Sequence, residues 1–230
     1  MLARQAFTIH CGREESLFMA LRRSLPLSGI VFVVLALLAV VAVSGSTPGS
    51  DASAAKVLSF YDAHGVRQGI AAFVLAASVP FLVAFGASLT STLWPREGDL
   101  RPVWQLVLIG GTVLTGAALL VAALIHFALA DGGDQRISGS GLQALNVVDN
   151  NFWMPLNSAL GVMMLGAAGS LLGTLRGYRW LGWAALVLGI ALFIPFADFF
   201  ALLLTLIWII VTSLMMFRAK LGPAVALHTP

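Results

Sequence analysis

The sequence predicts an all-α protein, a transmembrane bundle of six helices, and three observations support this fold class. Hydrophobic residues make up 59% of the 230 residues and charged residues 10%, whereas soluble domains carry about 45–50% and about 25%. The mean hydropathy is +0.95. Apolar residues also run along nearly the whole chain, which excludes a soluble enzyme with a single membrane anchor.

Six apolar segments are candidate spans, since a helix needs about 20 apolar residues to cross a bilayer. In order they are 25–45, 69–94, 103–130, 152–175, 180–194 and 199–217. The last two come from one apolar run that is too long for a single crossing and contains Pro195 and Asp198. Proline interrupts helical hydrogen bonding, and a lone carboxylate avoids the hydrocarbon centre. The run is therefore predicted to form a short hairpin whose turn lies below the outer surface, shielded by outer helices.

The positive charges predict the topology. Of the 13 Arg and Lys residues, Lys56, Arg67 and Arg136 lie in loops on one side, and the other ten lie in the termini and the opposite loops. Cytoplasmic loops carry the excess of Arg and Lys. Both termini are therefore predicted to be cytoplasmic, which requires an even number of spans.

The chain is expected to form a single membrane domain, residues 25–217, between a cytoplasmic N-terminal tail, 1–24, and a cytoplasmic C-terminal tail, 218–230. Residues 1–18 match the rest poorly, so Met19 is an alternative start of translation. Another alternative is that the first span is a signal peptide cleaved near 42–44. A retained span is preferred, because cleavage would leave five spans.

Two segments on the outer side have the spacing of amphipathic helices. Asp51 is a suitable N-cap for the first. Their apolar positions are Ala54, Val57, Leu58 and Tyr61 in one segment and Leu142, Leu145, Val148 and Phe152 in the other. Both helices are predicted to lie on the outer membrane surface or to cap the bundle.

Small residues recur on three spans at spacings that let helix backbones approach closely. They are Gly69, Ala72 and Ala76, then Gly166, Gly169 and Gly173, and then Gly182, Ala185 and Gly189. Packing explains them better than phosphate binding, since no GxxxxGK[ST] or GxGxxG context occurs.

The expected partner is the lipid bilayer, with a homo-oligomer or another membrane protein left open at these small-residue faces. No nucleic acid is expected, because the chain has no run of basic residues.

Rare ionisable side chains gather at the predicted outer face. They are His126, Asp149 and Asp198, with His64 and Asp62 at the rim. Imidazole and carboxylate suit a proton relay or a divalent cation, so these five residues are hypothesised to line one outward-facing site for a ligand or ion. The alternative is that each contacts water separately at the level of the headgroups, where polar groups cost little.

No catalytic residue is predicted. The single Cys11 excludes an intrachain disulfide and a multi-Cys metal site, and the HExxH and GxSxG motifs are absent. No cofactor is expected, apart from the divalent metal considered for the polar cluster.

Three motifs resemble a family of uncharacterised actinobacterial-type multi-pass membrane proteins. They are SDASAA at 50–55 leading to FYDAH at 60–64, LN at 145–146 with DN at 149–150, and RWLGW at 179–183. The resemblance covers about residues 25–218. The family has no established activity, so the resemblance implies a multi-pass membrane fold and no catalytic residues.

The leading hypothesis is a non-enzymatic multi-pass protein of the bacterial plasma membrane, acting as a sensor, an accessory subunit or a binder of a lipid-like ligand. The alternative is a small transporter or channel that uses the outer His/Asp cluster, which predicts a cavity continuing past His126 toward the membrane midplane. The third hypothesis is an intramembrane metal-dependent enzyme, which predicts that His126 is bonded to a carboxylate in a closed pocket. An accessory protein instead predicts a packed interior.

Overall fold

Helices form all the regular structure in the described part of the chain, residues 24–93, 102–132, 138–174 and 178–221 of a computed structural model. The predicted all-α class is therefore confirmed. The helices are α1, Ser28–Leu37; α2, Ala54–Thr92; α3, Pro102–Gly132; α4, Gly139–Asn150; α5, Trp153–Thr174; α6, Arg179–Ala191; and α7, Asp198–Leu221. A 3₁₀ turn, Leu25–Leu27, precedes α1, and a π-helical segment, Leu38–Ser44, continues it.

Four helical stretches are long and apolar enough to cross a membrane. They are Ala54–Thr92, Val103–Gly132, Gly139–Gly173 and Asp198–Ala219. Leu25–Val41 and Arg179–Ala191 are apolar but shorter. This architecture is compatible with a multi-pass membrane protein.

The first predicted outer helix is not a separate element. Ser53, rather than Asp51, caps α2, because its hydroxyl accepts a hydrogen bond from the Lys56 amide at 3.4 Å. From there α2 continues without a break through the predicted loop and through Pro80. Gly65 lets α2 lie close against α3, since a Cβ there would lie 2.8 Å from the Ala130 carbonyl oxygen.

The second predicted outer helix does exist as α4, and it caps one end of the bundle. Ser138 begins it by accepting a hydrogen bond from the Gly141 amide at 3.3 Å. A small apolar cluster joins α4 to the start of α2 and the end of α3; it contains Ala52, Val57, Tyr61, Leu129 and Leu142. Val57 and Tyr61 of the first stripe and Leu142 of the second are therefore buried in this shared cluster, whereas Val148 of the second stripe is exposed. We call this end of the bundle the α4 end.

The helices α3 and α5 cross with their backbones in direct contact. A Cβ at Gly111 would lie 2.3 Å from the Met163 amide nitrogen, and one at Gly166 would lie 2.3 Å from the Leu108 amide nitrogen. On α6, Gly182 packs against Leu172, and Gly189 packs against Leu165. The interpretation of Gly166, Gly182 and Gly189 as packing positions is confirmed, because each lies against a neighbouring helix with no room for a larger residue, whereas Gly111 was not among the predicted positions.

The predicted hairpin is present, but the α4 end does not shield its turn. The helix α6 ends at Ala191, α7 begins at Asp198, and Phe196 between them has φ 71° and is 93% exposed. Phe193, Phe199 and Phe200 are exposed as well. The predicted shielding is wrong because α7 packs on α6 and α1, whereas α4 packs on α2 and α3.

Candidate functional site

A histidine–carboxylate pair lies at the α4 end. His126, near the end of α3, places its Nδ1 3.1 Å from the Oδ2 of Asp149 on α4. The exposed fractions of the two side chains are only 11% and 12%. The structure thus brings together two of the five predicted site residues.

Gln68 of α2 is the third member of the site, and the sequence analysis missed it. Its Oε1 lies 2.8 Å from the Nε2 of His126, and its side-chain NH₂ donates to the Ser44 carbonyl at 2.9 Å. The Ser44 hydroxyl donates to the same Oε1 at 3.1 Å. The predicted second span begins at residue 69, which leaves Gln68 in a loop, whereas in the structure it shares a helix face with the buried Val57 and Tyr61. The side-chain amide of Gln68 on an otherwise apolar helix face is the sequence feature that could have identified it.

The backbone carbonyl of Ser44 determines the direction of the hydrogen bonds in this network. A carbonyl can only accept, so Gln68 turns its NH₂ toward Ser44 and its Oε1 toward His126. His126 Nε2 must then donate to Gln68, while the carboxylate of Asp149 accepts from Nδ1. Only the doubly protonated imidazolium donates from both ring nitrogens. The contacts therefore suit a positively charged His126 paired with a negatively charged Asp149.

The end of the first helical segment supplies this carbonyl. The last carbonyls of a helix have no partner within the helix, and two adjacent side chains of α2 bind them here. The Arg67 Nε donates to the Val43 carbonyl, and Gln68 donates to that of Ser44. Gly45 then turns the chain with φ 65°, a conformation that disfavours any side chain. The network therefore ties the end of the first helical segment to α2, α3 and α4.

A partly open cavity of about 180 Å³ adjoins the network. Ser44, Thr47, His126, Asp149 and Asn150 form its polar wall. Most of the remaining lining is apolar and includes Ala39, Ala71, Ala72, Leu75 and Ala122. Val79 and Leu119, about one turn further along α2 and α3, are buried in the main core. The cavity is thus a pocket with an apolar floor.

The other three predicted site residues lie apart from this pair in the described part of the chain. Asp198, the first residue of α7, accepts hydrogen bonds from the Asn157 side chain at 3.1 Å and from the Phe199 amide at 2.9 Å. His64 is exposed, with its Nδ1 2.9 Å from the Phe60 carbonyl, and Asp62 is also exposed. The helical period explains why Asp62 is exposed. The face of α2 that carries Tyr61 and Gln68 is buried, and Asp62 lies away from that face.

A metal ion does not fit these residues. Nowhere in the described ranges do three or more His, Cys, Asp or Glu side chains come together. His126 and Asp149 provide two ligands, but they bind each other, and a closed metal site needs more donors.

Ser44, His126 and Asp149 also contain the residue types of a nucleophilic triad. The Ser44 Oγ lies 3.5 Å from His126 Nε2. That nitrogen faces Gln68 Oε1 at 2.8 Å, however, and the Ser44 hydroxyl donates to the same oxygen. A general base must offer a lone pair to the nucleophile, and this arrangement offers none to Ser44.

No protein-family model matches the chain, and no curated protein or solved structure matches it either. The resemblance to an actinobacterial-type family therefore stays a prediction.

Proposed function

We propose that the protein is a multi-pass protein of the bacterial plasma membrane with six spans, both termini in the cytoplasm and the α4 end outside. Four long apolar helices and two shorter ones support this proposal, as does the placement of all but three Arg and Lys residues at the opposite loops and termini. The helix α6 is short, about 20 Å for its 13 residues at 1.5 Å per residue. Its exposed phenylalanine turn would then lie in the hydrocarbon, where lipid covers it.

Cysteine labelling in intact cells tests this topology. In a Cys11→Ser background, a bulky impermeant maleimide should modify Ser140→Cys readily and Ala219→Cys only after the membrane is permeabilised. Ala197→Cys, in the hairpin turn, should react slowly in both conditions because it lies below the surface. Labelling of residues 140 and 219 from the same side would contradict the six-span arrangement.

The function that the geometry supports best is that of a non-enzymatic, proton-responsive sensor. The observation that carries this proposal is that both ring nitrogens of His126 face acceptors on different helices, Asp149 of α4 and Gln68 of α2. When the imidazolium loses a proton, one of these two contacts loses its donor. Protonation would thus be coupled to the docking of α4, or to the docking of the first helical segment that Gln68 holds.

The surroundings of His126 favour this function over the alternatives. The groups that face or adjoin it are the carboxylate of Asp149, the ring of Tyr61 at a centroid distance of 6.4 Å, and Arg67, which binds the Val43 carbonyl beside Ser44. The apolar floor of the cavity argues against a transport path toward the midplane. The donor role of Nε2 argues against hydrolysis by Ser44.

The dependence of thermal stability on pH tests the proposal. The melting temperature of the purified protein should fall as the pH is raised, because a neutral His126 ring would keep only one N–H donor for its two acceptors. His126→Gln should lose this dependence. His64→Gln should keep it, since His64 is exposed and bonds only to its own helix. A pH response that survives in His126→Gln would overturn the proposal, as would labelling of Ser44 by a fluorophosphonate.

A further inference from the structure

A second, larger concavity lies on the flank of the bundle. It is a groove of about 790 Å³ between α3, α4 and α5, within the range of about 300–1,000 Å³ that is usual for ligand pockets. Along α3 it extends from Ile125 to Leu114, about 16 Å at 1.5 Å per residue. Its dimensions therefore suit one extended hydrocarbon chain.

The polar side chains of the groove donate their hydrogen bonds to backbone carbonyls nearby in the chain rather than to a ligand. The Asn151 side chain donates to the Val147 carbonyl at 2.7 Å, and the Ser158 hydroxyl donates to the Met154 carbonyl at 3.0 Å. Most of the remaining lining is aliphatic, including Val121, Val148 and Val162. An acyl chain is the occupant that this lining favours, and under the topology proposed above the groove opens to the outer half of the bilayer.

The groove adjoins the polar cavity of His126 and Asp149. Ala122 of α3 and Phe152, between α4 and α5, line both spaces. Phe152 is half-buried and stands at the break between the two helices. Ala122 and Phe152 therefore form a wall common to both spaces, and a molecule with its chain in the groove would reach Asp149 and Asn150 by displacing the Phe152 side chain.

The cavity also indicates the chemistry of that polar end. His126 and Asp149 neutralise one another when paired, and Ser44, Thr47 and Asn150 add uncharged polar groups. Both ring nitrogens of His126 already face acceptors, so a carboxylate headgroup would gain no donor from it, whereas a hydroxyl can both donate and accept. We propose that the two spaces form one site for a monoacyl lipid with an uncharged, hydroxyl-bearing headgroup, of the monoacylglycerol class. This inference rests on the membrane placement in the proposed function.

Photocrosslinking in lipid nanodiscs tests the site. The probe is a monoacylglycerol with a photoreactive diazirine in its chain, and the crosslinked peptides are mapped by mass spectrometry. The crosslinks should concentrate on residues 114–125 and 147–162. Ala117→Phe, which places a ring in the groove, should weaken labelling there about tenfold, equivalent to about 1.4 kcal/mol of binding free energy. Ala77→Phe, an exposed alanine on α2 outside the groove, should leave it unchanged.

Competition between the probe and unlabelled lipids identifies the headgroup that the site prefers. Unlabelled monoacylglycerol should displace the probe at lower concentrations than a fatty acid or an alkane of equal chain length. Equal competition by the fatty acid would overturn the assigned headgroup. Crosslinks spread evenly over all lipid-facing helices, and insensitive to Ala117→Phe, would mean annular lipid only and would overturn the site.

These outcomes are separable from those that test the proposed function. If cysteine labelling supports the topology and the crosslinks are diffuse, only the lipid site fails. If the crosslinks lie in the groove while His126→Gln retains the pH response, the lipid site stands and proton sensing fails.

Discussion

Replacing Gly111 with alanine is expected to destabilise the bundle by about 3 kcal/mol, the upper end of the usual cost of overpacking. The added methyl carbon would lie 2.3 Å from the amide nitrogen and 2.4 Å from the Cα of Met163. Both atoms belong to the backbone of α5, so no side-chain rotation can relieve the overlap, and the two helices must separate. The free energy of unfolding, measured by denaturation in mixed micelles, checks this expectation.

The neighbouring glycine provides a matched control. Gly110 is on the exposed side of α3, and nothing lies within 4 Å of the position that its Cβ would take. Gly110→Ala should therefore be neutral or slightly stabilising, since alanine favours helix over glycine by about 1 kcal/mol. Equal stabilities of the two variants would show that α3 and α5 do not cross at Gly111. Gly166→Ala, which affects the same crossing from α5, should behave like Gly111→Ala.

Replacing Asp149 with alanine is expected to cost about 2–3 kcal/mol of unfolding free energy. Removing one partner of a fully buried pair costs about 3–5 kcal/mol, because the other charge is left uncompensated. The cost here is lower, since Asp149 is 12% exposed and lies beside a partly open cavity. Asp149→Asn keeps an acceptor for His126 Nδ1 and should cost about 1 kcal/mol, the usual difference between a hydrogen bond to a charged group and one to a neutral group.

Asp62→Ala is the control for this pair, because Asp62 is an exposed carboxylate on α2. Its effect should remain within about 0.5 kcal/mol, as is usual for surface substitutions. If Asp149→Ala were as mild as Asp62→Ala in the same unfolding assay, the contact between His126 and Asp149 would contribute nothing to the folded state.

Half of the candidate site was predictable from the sequence. Ionisable groups are so rare among the apolar segments that His126 and Asp149 were evident as candidates, and the charge pattern placed them toward the same face. Gln68 and Ser44 were missed for a physical reason. An uncharged amide or hydroxyl is common at the edge of a span, and its role depends on which carbonyl or imidazole faces it.

The sequence by itself determined the all-α class, the break at Pro195 and Asp198, and the glycine faces on which the helices pack. These features depend on composition and on spacing along a single helix, which the chain carries locally. Only the tertiary structure decided that α2 runs unbroken from Ala54, that Asp198 binds Asn157 instead of joining His126, and that Gln68 connects His126 to the Ser44 carbonyl. The helical period determines the face on which a residue lies, but the neighbour of that face depends on which helices fit together.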